Sequence, residues 1–166
     1  MSKDDHKIDA DDRNIFDVLN ERKYTVDYFQ REYSWEQKHI EQLVTDLTST
    51  FLDVYVEGDP RASVEHYNNY YLGPFVVSSK NGMKSIIDGQ QRLTTFSIFL
   101  ASLRDVAVEG KSKYATELQK YLINDGVMEH PEIERYMLWP SLTDRRTFIA
   151  IIDPEADLDG IVPMQH

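Results

Sequence analysis

Asp88-Gly89-Gln90-Gln91-Arg92-Leu93-Thr94-Thr95 gathers a carboxylate, two amides, a guanidinium and two hydroxyls in one short run. A carboxylate can hold a divalent cation or orient a water molecule, and a guanidinium can fork onto phosphate oxygens. Gly89 lets a ligand come close to the backbone. If a helix opens just after it, unpaired N–H groups and about half a unit of positive charge favour an anion there. The chemistry this suggests is that of a phosphate ester. Asp88 holds the metal or the water, Gln90 or Gln91 orients that water, and Gly89, Arg92, Thr94 and Thr95 contact phosphate. The same spacing also suits a purely architectural turn, in which Asp88 caps the helix, both glutamines are solvated and Arg92 pairs with a surface carboxylate. The run of glycines and the Lys-Ser/Thr of a Walker loop are missing.

A second polar group lies at Phe29-Gln30-Arg31-Glu32-Tyr33-Ser34-Trp35-Glu36. Gln30 and Arg31 can form another prong for a phosphate, and Arg31 can stabilise charge that develops in a transition state. Tyr33 and Trp35 suit core or rim packing, or stacking on a base. Ser34 to Gln37 has the spacing of a capping box. Two arginine-bearing loops, around Arg31 and Arg92, would suit a polyphosphate. The 5 histidines show no paired ligand spacing, so none is assigned to a metal. Asp144-Arg145-Arg146 reads as a solvated helix start, with a third phosphate contact as its functional alternative.

These groups need elements to position them. Ile15, Val18 and Leu19 predict a short helix over 13–20, feeding a strand at Tyr24-Thr25-Val26. Ile40, Leu43, Val44, Leu47, Phe51 and Leu52 recur on one face and predict the clearest helix, from Glu36 to Val56. Gly58-Asp59-Pro60 ends it, and 61–69 reads as a surface loop. A strand over 70–79, interrupted by Gly73-Pro74, suggests a bulge or a sheet edge. Asn81-Gly82 then makes a hairpin turn, and Ser85-Ile86-Ile87 returns to deliver Asp88. Leu93, Phe96, Leu100, Leu103 and Ala107 predict a long helix opening at Gln90 or Gln91. Tyr114 to Leu122 suggests another helix, and Glu134 to Trp139 a further strand. Thr143 to Phe148 resembles a helix start capped by Thr or Asp.

Composition sets the frame. The chain has 166 residues, 41% hydrophobic and 28% charged, which fits one globular domain. Residues 1–12 read as a flexible lead-in and 13–166 as a single domain. With 18 Lys+Arg against 29 Asp+Glu the net charge is −11, a field that repels DNA. Cysteine is absent, which removes disulfides and thiolate chemistry. There is no apolar leader or spanning segment, so the expected location is the cytoplasm, away from membranes. The 10 Tyr fit either a core or a homodimer interface.

Three blocks, Phe29 to Trp35, Tyr71-Leu72-Gly73 and Ile87 to Thr95, resemble in order the signature of the GmrSD-type restriction endonuclease N-terminal domain. Leu138 to Phe148 is weakly similar to the segment that follows in that family. One departure is Asp27, which follows Val26 where family members usually carry Pro. The resemblance implies an α+β, ParB/sulfiredoxin-like domain, with a small β-sheet packed by amphipathic helices. It also implies a nucleotide-binding or nucleotide-hydrolysing site on Asp88, Gly89, Gln90, Gln91 and Arg92, beside Gln30 and Arg31. The expected cofactors are a nucleoside triphosphate and Mg²⁺, in a system that defends against modified or foreign DNA. Many members continue into a helical region and a His-Asn-His nuclease domain. A chain ending at His166 is therefore expected to be an excised domain, a split subunit or a truncated product, with DNA reached through a nuclease partner. The rival expectations are a non-catalytic module that holds a DNA phosphate or a modified base, and an interaction domain with a decayed cleft.

Overall fold

The computed structural model describes residues 10–20, 23–26, 30–80, 83–124, 135–159 and 161. They form a mixed α/β fold around a four-stranded sheet. Helix α1 is Ile15–Leu19, started by Asn14, whose side chain accepts the Asp17 N–H at 2.9 Å. Strand β1 (Tyr24–Thr25) follows, then α2 (Gln37–Leu52). After a 3₁₀ turn at Arg61–His66 come β2 (Val76–Lys80), β3 (Met83–Asp88) and α3 (Gln90–Glu109). Helix α4 (Tyr114–Gln119), strand β4 (Leu138–Trp139) and α5 (Leu142–Ile152) complete the order.

The sheet order is β2-β3-β1-β4, with β1 parallel to both neighbours and β2 antiparallel to β3. The expected hairpin is therefore present, although its turn residues Asn81 and Gly82 lie outside the described residues. Only Val76–Lys80 pairs as β2, so the strand expected from residue 70 starts six residues later. Gly73, with φ +95°, is in the left-handed region and takes 71–75 away from the ladder. The expected irregularity appears as a bulge between Val76 and Val77 on the edge strand.

The core lies between the sheet and α3, whose Leu93, Phe96, Leu100 and Ala101 pack with Ile86, Trp139, Phe148 and Ile149. Its first half is enclosed nearly all round, because even Gln90, Gln91, Thr94, Thr95 and Ser97 are buried. Helix α2 departs from expectation: only Leu43 is buried, and Ile40, Val44, Phe51 and Leu52 are exposed. Its apolar stripe is wider than the surface it covers. At its start Glu36 N–H reaches His39 Nδ1 at 3.0 Å, so the capping contact falls two residues beyond the Ser34 spacing.

The cap position of helix α5 is Ser141, not Thr143 or Asp144. Arg145, read as solvated, is only 7% exposed, stacks over Trp139 at 4.3 Å and donates to the Pro140 carbonyl. Burial holds its guanidinium below the ordinary value. Buried Arg104 ties the far end of α5 to α3 by donating to the Ile152 carbonyl and to Gln119 Oε1.

At that end Asp153 Oδ2 receives Arg135 Nη2 at 2.9 Å and the Tyr136 hydroxyl at 3.0 Å. Burial first, then the hydrogen bond and charge of Asp153, push the Tyr136 phenol up to about 12, against a lowering by Arg135. The unfolded phenol titrates near pH 10. Its contribution is complete below about pH 10 and is lost as pH rises to about 12. Between those limits, urea unfolding should show wild type losing roughly 2 kcal/mol more than Tyr136→Phe. Parallel slopes would mean that this proton is not linked to folding.

Candidate functional site at the start of α3

Strand β3 ends at Asp88, Gly89 turns the chain at φ +96°, and α3 opens at Gln90. The strand-to-helix turn is thus where the residue pattern places it. Its side chains do more than meet solvent. Gln90 Nε2 donates to the Arg31 carbonyl at 2.7 Å, and Gln91 Nε2 to the Glu32 carbonyl at 3.0 Å. Gln91 Oε1 accepts the Ser34 N–H at 2.8 Å. Thr95 Oγ1 donates to the Gln91 carbonyl, so the Tyr33 hydroxyl, 2.7 Å away, donates to it. From the other side Asp144 Oδ2 accepts the Tyr33 N–H and the Ser141 hydroxyl, each at 2.8 Å.

The glutamines, solvated in the architectural reading, are therefore 8% and 6% exposed and clamp the 31–34 backbone onto α3. Gln91 has both ends of its amide engaged. Gln90 Oε1 is buried and has no hydrogen-bond partner among the described residues. Thr95 is 4% exposed and serves the same clamp, whereas Thr94 lines the recess beside Gln90. Gln30 supports the turn from below, 3.3 Å from the Ile86 carbonyl. Arg31 and Glu32 are both exposed in this loop, and Arg31 stands at the rim of a recess of about 10 Å³ shared with Gln90, Ser141 and Asp144. That is room for about one water molecule.

Arg92 sits two residues from Gln90, nearly on the opposite flank of the helix. Its Nη2 pairs with Asp88 at 3.1 Å and its Nη1 donates to the Leu72 carbonyl at 3.3 Å. A Cβ on Gly73 would overlap the Arg92 guanidinium, which explains a glycine beside Leu72. Among the described residues the Asp88 carboxylate is engaged by Arg92 alone, and it stays 62% exposed. Beyond Arg92 opens a cleft of about 90 Å³, lined mainly by Ile15, Val18, Leu72, Pro74, Phe75 and Leu93. Among the described residues no three His, Cys, Asp or Glu side chains gather into a metal cluster.

The three sequence blocks thus meet at one helix N-terminus. Residues 15–162 match the family of the GmrSD restriction endonuclease, N-terminal domain. The chain belongs to that family. No curated protein matches it. Membership of the GmrSD N-terminal family gives the chain a role in a restriction system. No helix among its described residues is long and apolar enough to cross a membrane.

Several residues that build this GmrSD-type site had no signal of their own. Asp144 reads as a solvated helix start, yet it fixes Tyr33 from 111 positions away. Ile15 and Val18 read only as the face of a short helix, and they form one wall of the cleft. Nothing local in the chain announces either contact. The Tyr71-Leu72-Gly73 block did carry a signal, through the resemblance, and its role is to receive Arg92.

Proposed function

We propose that this GmrSD-type domain, on a ParB/sulfiredoxin-like scaffold, binds a nucleoside triphosphate with Mg²⁺ at the start of α3. It hydrolyses or senses that nucleotide to regulate a DNA-targeting nuclease partner in the cytoplasm. The observation that carries this reading is the pair of arginines, Arg31 and Arg92, brought from separate segments to the two flanks of one helix N-terminus. Backbone N–H groups and two guanidiniums make a strong polyanion cradle. A net charge of −11 disfavours a long DNA backbone as the ligand and leaves a small polyanion as the better fit.

In this scheme Arg92 and the first turn of α3 hold phosphates, and Arg31 stabilises charge that develops on them. Asp88 is the carboxylate that fits Mg²⁺, which is commonly held by one or two carboxylates together with phosphate oxygens and waters. The ion neutralises phosphate charge when bound. Of the two glutamines, Gln90 is the one with an acceptor left to orient a water, through Oε1. Gln91, with both amide atoms in the clamp, keeps Arg31 in place instead.

The test is a calorimetric titration of the chain with ATP, GTP, CTP and UTP in Mg²⁺. Saturable binding of at least one is expected. Silence with all four would remove the reading.

A further inference from the structure

We propose that the apolar cleft beside Arg92 seats the base of the nucleotide, a deepening that rests on the phosphate site proposed above. Protein interiors close to crystal-like density and leave few voids larger than a water. About 90 Å³ is several times the ~10–15 Å³ that one water needs. Its walls are mainly apolar: Ile15 and Val18 come from α1, Leu72 and Phe75 from the segment that precedes β2, and Leu93 from α3. Water gains little from such walls, and a flat apolar ring gains their contact.

The cleft is also continuous with the phosphate cradle. Gly89 and Arg92 belong to both, so a ring held in the cleft has its charged tail at the α3 N-terminus. Arg13 supplies a second guanidinium to the lining, suited to the face of a ring or to the first phosphate. Gly89 keeps the wall in place, since a Cβ there would lie 2.7 Å from the Phe75 ring. Among the described residues the lining holds no amide, hydroxyl or carboxylate side chain, and its side-chain donors are the guanidiniums of Arg13 and Arg92, which are taken up by a ring face and by phosphate. The cleft takes a base by its faces and discriminates weakly between the four.

The experiment compares the four nucleoside triphosphates with inorganic tripolyphosphate, all in Mg²⁺, by calorimetry on wild type and Ile15→Trp. Expected are an advantage of about tenfold or more for every nucleotide over tripolyphosphate and a spread among the four within about tenfold. Ile15→Trp fills the cleft, so it should erase the advantage and leave tripolyphosphate affinity within about twofold. On wild type, nuclear Overhauser contacts should run from base protons to the methyls of Ile15, Val18 and Leu72, a readout that decides alone if the variant does not fold. Equal affinities for nucleotide and tripolyphosphate overturn the base seat and leave the phosphate site standing. Failure of both ligands to bind overturns both. A base advantage that survives in folded Ile15→Trp, without methyl contacts, places the base elsewhere.

Discussion

Arg92→Ala is expected to weaken nucleotide binding by roughly 100-fold, the loss of a charged, two-pronged contact worth about 2–3 kcal/mol. The fold should survive it. The pair with Asp88 spans one turn at the surface and contributes well under about 1 kcal/mol, and the bond to the Leu72 carbonyl is a single long one at 3.3 Å. Arg92→Lys keeps the charge without the planar fork and should recover only part of the affinity. Gly73→Ala should weaken binding in the same direction without touching the charge, because its methyl takes the space of the guanidinium, and at φ +95° it also costs the fold about 1–2 kcal/mol. Calorimetry beside a thermal melt checks all three. Unchanged affinity in a folded Arg92→Ala would remove Arg92 from the site.

Gly89→Ala is expected to cost the fold about 2–5 kcal/mol, a large share of a typical 5–15 kcal/mol. Two causes add. A side chain at φ +96° costs about 1–2 kcal/mol, and the new methyl would stand 2.7 Å from Phe75 Cδ2, which adds a further 1–3 kcal/mol or so of overpacking. Gly58 separates the two. It has φ +90° with nothing within 4 Å of its missing Cβ, so Gly58→Ala carries the backbone strain alone. Urea unfolding of both variants should place Gly89→Ala below Gly58→Ala by the size of the Phe75 contact. Equal losses would mean that Phe75 yields freely.

The strand that ends at Asp88 and the helix that starts at Gln90 were readable because their signals are local: a hairpin, a glycine and an apolar period all fall within thirty residues. Position along the chain was therefore legible, and partner choice was not. Gln90 and Gln91 look like solvated polar residues in sequence, since their hydrogen-bond partners lie in the 31–34 backbone, 57 and 59 residues away. Asp144 misled for the same reason, since Tyr33 lies 111 positions away, whereas Arg145 is absorbed by nearby Trp139 and Pro140 once the chain turns from β4 into α5. Helix α2 shows the converse. Its period was correct, but periodicity reports what a helix can cover, and here less surface covers it than the stripe provides.

The clamp on the 31–34 loop has a consequence for the order in which the molecule comes into being. Strand β1 is flanked by strands that follow it by some 60 and 114 positions, Tyr24 meeting Lys84 on one side and Leu138 on the other. The loop after β1 is fastened by Gln91 and then, last of all, by Asp144. Contacts of such long range form late, because the intervening chain must be closed first. During synthesis, Arg31 leaves the ribosome long before any group that can hold it. The two arginines are fixed on the two flanks of α3 only once residue 144 has emerged, so a translation product interrupted after residue 92 carries both cations and no assembled cradle.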